Sequence, residues 1–110
     1  MNSTPIAPYS PTVAANGFVF VAGQVGFDSV QKRYYSGDIV SQTRGALQNL
    51  ENVLGDAGSR MTKIVKTTIF LTDVNDFDTV NAIYMEFFKE EPPAQSCVQV
   101  APCQRARWWK

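Results

Sequence analysis

Gln95-Ser96-Cys97 places an amide, a hydroxyl and a thiol on consecutive residues. Cys97 lies in an apolar run with Val98 and Val100 and has no base near it in sequence. Its sulfur therefore reads better as a small buried hydrophobe than as a nucleophile, and its backbone matters more than its thiol. Tyr9, between Pro8 and Ser10, is either a packing aromatic or an acid or hydrogen-bond donor at a pocket rim, and composition alone favours packing. The chain has no histidine, which removes Ser-His-Asp triads, Cys-His dyads and imidazole metal sites within one subunit. Cys97 and Cys103 fit no common zinc spacing, so they are expected to be reduced thiols.

Other motifs offer less. Gly23-Gln24-Val25-Gly26 lacks the third glycine and the Lys-Ser/Thr of a phosphate-binding loop and reads as a turn or strand edge. Asp73, Asp76 and Asp78 lack the mid-loop glycine and terminal glutamate of an EF-hand, and helix capping explains them better. Glu90-Glu91, beside Pro92, reads as a solvated helix end. The run Arg105-Ala106-Arg107-Trp108-Trp109-Lys110 joins cations to aromatics, as single-stranded nucleic-acid binders do, but three charges make a poor footprint and ordinary terminal packing is preferred.

The elements that position these residues follow from hydropathy and turn chemistry. A length of 110 residues, 45% of them hydrophobic, suits one folded domain over residues 1–110. Ten basic residues balance ten acidic ones, so no overall field draws the chain to nucleic acid or an anionic membrane. The most apolar segment, Phe18 to Ala22, is of strand length, and the N-terminal residues carry no basic-then-apolar pattern; a cytoplasmic protein without membrane attachment is expected.

Val13–Ala15 and Phe18–Ala22 flank Asn16-Gly17, which predicts a β-hairpin with a type I′ turn. Gly23 to Phe27 are expected to prolong its second strand, and Asp28 to Gly37 to form a loop or a second short hairpin. Apolar positions from Ile39 to Ala57 recur at steps of three and four, predicting a helix capped by Asp38 and ended by Gly58. Ile64 to Leu71, rich in β-branched residues, reads as a buried strand. Asn75 or Asp76 caps a second helix with an apolar face of Phe77, Val80, Tyr84, Phe87 and Phe88, and Pro92-Pro93 prevents its continuation. Ala94 to Ala101 supply the next strand. The order β-β-α-β-α-β predicts an α+β fold, a mixed sheet with two helices on one face. The other face needs burial against a second copy.

Five ordered blocks resemble the Rid family, also called YjgF or L-PSP proteins. They are Ala7-Pro8-Tyr9-Ser10, Ala22-Gly23-Gln24-Val25, Ala46-Leu47-Gln48-Asn49-Leu50 through Ala57-Gly58, the long run Ile64 to Phe77, and Pro93-Ala94-Gln95-Ser96-Cys97-Val98. The resemblance implies a chorismate-mutase-like fold, a homotrimer with clefts between subunits, and hydrolysis of reactive 2-imino or 2-enamino acids to 2-oxo acids and ammonia, with no metal and no cofactor. It implies a pocket rim at Tyr9 and substrate binding by Gly23, Asn81, Gln95, Ser96 and Cys97. The chain departs from the family at two places. Gln95 stands where the family carries a carboxylate-gripping arginine, and no residue after Ala101 matches the glutamate that orients the attacking water. Two further readings follow: a non-catalytic trimer that binds small carboxylates, and an endoribonuclease or translation inhibitor, an activity attributed to some relatives.

Overall fold

The computed structural model describes residues 10–25, 27–28, 33–34 and 38–101. It opens with an antiparallel hairpin of β1 (Thr12–Ala15) and β2 (Phe18–Val21), in register from Thr12 opposite Val21 to Ala15 opposite Phe18. Asn16 and Gly17 hold φ of 54° and 80°, the two positive values that a type I′ turn requires. The expected extension of β2 does not form, since residues 22–25 are irregular. Side chains take the place of a ladder there: Gln24 Nε2 donates to the Ala22 carbonyl at 3.1 Å, and Asn49 Nδ2 donates to the Val25 carbonyl at 3.0 Å. A second short hairpin follows, β3 (Phe27–Asp28) against β4 (Arg33–Tyr34).

Helix α1 spans Ile39–Asp56 and starts where Asp38 Oδ1 accepts from the Ser41 N–H at 2.6 Å. Its end is a Schellman turn: the Ser59 N–H donates to the Leu54 carbonyl at 2.8 Å and the Gly58 N–H to the Gly55 carbonyl at 3.0 Å. Gly58 sits at φ 80°, which a side chain would strain.

A 3-10 turn at Met61–Lys63 leads into β5 (Lys66–Leu71), which pairs in parallel with β6 (Ala94–Gln99). Helix α2 (Phe77–Phe87) makes the crossover between them. The cap expected from Asn75 or Asp76 belongs instead to Asp73. Its carboxylate accepts from the Asn75 N–H at 2.9 Å and starts a 3-10 turn, Val74–Asp76, that feeds α2; Asp76 makes no side-chain cap bond. Helix α2 ends ahead of Pro92-Pro93, with the Phe88 N–H on the Tyr84 carbonyl.

Leu47 and Leu54 of α1, Met61, and Ile83, Tyr84 and Phe88 of the α2 region form the buried core, and Val21 and Ile69 pack against it from the strands. Both helices therefore cover the same side of the strands, as the pattern predicted. Among the described residues the strands pair as three two-stranded ladders, so the mixed sheet is seen as its component pairs. The strand expected to be buried, Ile64 to Leu71, is covered on one face only: Phe70 is 65% exposed, because the helices leave the opposite face open. Val13, Phe18 and Phe20 of the hairpin and Val98 of β6 are exposed as well.

Candidate functional site

The register of β5 against β6 sorts the candidate residues. Directly opposed residues share a face, and faces alternate along a strand. Thr67 lies opposite Gln95 and Ile69 opposite Cys97 on the face covered by the helices, where all four are half-buried. Ser96, opposite Thr68, is exposed on the other face. The structure therefore brings Gln95 and Cys97 together and directs the Ser96 side chain away from them.

The backbone adds a second element. The Ala94 N–H donates to the Val65 carbonyl at 3.1 Å and the Val100 N–H to the Leu71 carbonyl at 2.8 Å, so even-numbered residues of this strand turn their N–H groups toward β5. By the two-residue period, Gln95 and Cys97 turn theirs outward. Among the described residues no strand pairs with that edge. Gln95 and Cys97 thus offer backbone donors and acceptors along an open strand edge, and the Ser96 N–H is directed into the ladder.

Helix α2 supplies the roof. Tyr84 is 3% exposed, and its hydroxyl lies 2.7 Å from Thr67 Oγ1, beside the Gln95 register position. Asn81, one turn earlier on α2, is half-buried. Among the described residues, neither the Asn81 nor the Gln95 amide has a side-chain hydrogen-bond partner. Two half-buried amides without partners are groups that a ligand could satisfy. The Thr67–Tyr84 pair is a part of this region that the sequence reading placed only in the core. The available signal was the phenol itself, which needs a partner when buried.

Gly23 lies in the irregular segment after β2 and is exposed; a Cβ there would meet nothing within 4 Å, and its φ is not positive. Neither backbone conformation nor packing within the protomer therefore requires glycine at this position. Tyr9, Cys103 and the Arg105–Lys110 run lie outside the described residues. Cys97 is a free thiol. No group of three metal-ligating side chains occurs among the described residues, and Asp73 is used as a cap. The strongest electrostatic pairing lies away from the strands, where Arg44 of α1 donates twice to the Glu86 carboxylate of α2. Its hydrogen bonds hold the Glu86 carboxyl below its ordinary range and raise the Arg44 guanidinium.

An α+β chain with two helices packed on one side of its strands, and a parallel β-α-β unit carrying the candidate residues, defines the class. The profile of the endoribonuclease L-PSP family matches residues 1–108, and the chain belongs to that family. It is similar to the human 2-iminobutanoate/2-iminopropanoate deaminase, with 41% identity over 96 residues, covering 87% of this chain and 70% of the relative. A RutC family protein of Synechocystis is 46% identical over 99 residues, covering 88% and 76%. Among solved structures, a protein of the conserved Rid family from Yersinia pestis superposes with a TM-score of 0.89 at 38% identity, covering 94% of this chain and 82% of that one. E. coli TdcF, solved with bound serine, gives a TM-score of 0.86 at 34% identity, covering 93% and 82%. The α+β fold of this family, expected from the ordered blocks, is the fold observed. No helix among the described residues is long and apolar enough to cross a membrane.

Proposed function

We propose that the chain is a Rid-type deaminase, a cytoplasmic homotrimer that hydrolyses reactive 2-imino or 2-enamino acids to 2-oxo acids and ammonia. The observation that carries this reading is the 41% identity to the human deaminase over 87% of the chain. In the reaction, water adds to the imine carbon to give a carbinolamine. Collapse of that intermediate forms the C=O bond, breaks the C–N bond and releases ammonia. In this reading Gln95 and the outward Cys97 N–H hold the substrate, Asn81 and Gly23 shape the pocket, and Tyr9 stands at its rim. The exposed Phe18, Phe20, Phe70 and Val98 supply the apolar face for assembly of the trimer.

Gln95 fixes the expected strength of the grip. A hydrogen bond to a charged partner contributes about 1.5–3 kcal/mol against about 0.5–1.5 for a neutral one. An amide in place of a guanidinium therefore weakens carboxylate binding by roughly tenfold or more. The test is to generate 2-iminopropanoate in situ and follow its loss with wild-type protein and with Gln95→Arg. Wild type should exceed the buffer rate and the arginine variant should exceed wild type; rates at the buffer level for both would sink the enzymatic reading. Gln95 also favours a second reading, a non-catalytic binder of small ligands. That reading expects calorimetric binding of 2-oxo compounds without turnover.

A further inference from the structure

The geometry points to a neutral carboxamide, rather than a carboxylate, as the group recognised beside Gln95. The substrate class is then a 2-imino carboxamide, hydrolysed to the 2-oxo carboxamide and ammonia with one water consumed. This inference rests on the deaminase reading and names the substrate for the same site.

The first argument is charge. The covered face of the β5–β6 pair carries Thr67, Ile69, Leu71, Gln95, Cys97 and Gln99, none of them ionisable to a cation. Lys66 is on the opposite face, with its ammonium 3.5 Å from the Thr68 hydroxyl. Arg44 is held by Glu86. A carboxylate brought here would lose hydration with no cation on this face of the β5–β6 pair to compensate it, and a desolvated charge without a partner is strongly disfavoured.

The second argument is the order of donors and acceptors. Along the open edge of β6 the groups run Gln95 N–H, Gln95 C=O, Cys97 N–H, since both groups of one residue point the same way in a strand. The two N–H groups lie about 7 Å apart, so a carboxylate can accept from only one of them, and its second oxygen is then left against the Gln95 carbonyl, oxygen against oxygen. A carboxamide instead places its oxygen on the Cys97 N–H and its own N–H on the Gln95 carbonyl. The side chains repeat that mixed character. Gln95 and Asn81 each bring a donor and an acceptor, and each lacks a partner among the described residues. The Thr67–Tyr84 hydroxyl pair uses one of its two hydrogens internally and keeps the other.

Calorimetry with pyruvamide and with pyruvate tests this on the full chain at one pH, in low and high salt. Wild type should bind pyruvamide about tenfold more tightly than pyruvate, with little salt dependence, and Gln95→Arg should invert the preference. Gln95→Leu should lose pyruvamide without gaining pyruvate. A wild-type preference for pyruvate, or pyruvamide binding that weakens steeply with salt, overturns the carboxamide inference and leaves the deaminase reading standing. Binding of neither ligand overturns the carboxamide inference too, and the deaminase reading is then decided by the 2-iminopropanoate rate. The wild-type comparison decides the matter if a variant fails to fold.

Discussion

The hydroxyl pair of Thr67 and Tyr84 makes an asymmetric prediction. Tyr84 is almost fully buried and Thr67 only half so, with 2.7 Å between their oxygens. Tyr84→Phe removes the phenol oxygen and leaves the Thr67 hydroxyl able to reach water, so the loss is that of a neutral hydrogen bond, about 1 kcal/mol. Thr67→Val keeps the branched shape but strands the Tyr84 hydroxyl away from solvent, which costs the larger desolvation penalty, about 2 kcal/mol. The double variant strands nothing, so it should fall short of the sum of the single losses by about 1 kcal/mol. For a domain near this size, thermal midpoints should drop by about 4 °C for Tyr84→Phe and about 8 °C or more for Thr67→Val. Thermal and urea denaturation at one fixed protein concentration reads all three proteins. A Tyr84→Phe loss equal to or larger than that of Thr67→Val would refute the reasoning. So would additivity within about 0.5 kcal/mol, because the pair would then not be coupled.

Gly58→Ala should destabilise by about 1 kcal/mol in urea melts, through backbone strain alone, because φ is 80° and a Cβ would meet nothing within 4 Å. Asp38 and Glu86 both have carboxyls held below their ordinary values of 3.8 and 4.5, the first mainly by the Ser41 N–H and the second mainly by its hydrogen bonds from Arg44. A lowered folded-state value stabilises at pH above the ordinary value and is lost as pH falls through the folded one. Midpoints should therefore fall below pH 4.5, and Asp38→Asn/Glu86→Gln should flatten that limb of the profile; an unchanged limb in the double variant would show that these two groups do not set it. Phe70→Asp, at a position 65% exposed, should leave the fold intact and, for the proposed trimer, lower the native mass to that of a monomer. A native mass unaffected by the substitution would place any assembly interface elsewhere.

Local chemistry was the legible part of the fold. Asn16-Gly17, Asp38 and Gly58 each dictate a backbone conformation within a few residues, and each is found performing it. One departure, the cap taken by Asp73 in place of Asn75 or Asp76, is itself local; the others arise from tertiary contacts. β2 stops at Val21 where the side chain of Asn49, on a helix two dozen residues away, engages the Val25 carbonyl. The exposure of Phe70 was not legible, because composition reports a strand's affinity for burial and not which of its faces the helices reach.

The candidate site divides along the same line. Gln95 and Cys97 could be recognised from their block in the sequence, but their separation from Ser96 needed the parallel register, which is set across a crossover helix. The Thr67–Tyr84 bond depends on that crossover too, since α2 must run back over β5 for position 84 to reach position 67. What the tertiary structure contributes is therefore directional. It turns three consecutive residues into two that face the helix side and present backbone groups at an open edge, and one that does neither. That direction, more than residue identity, argues for a ligand read by alternating donors and acceptors.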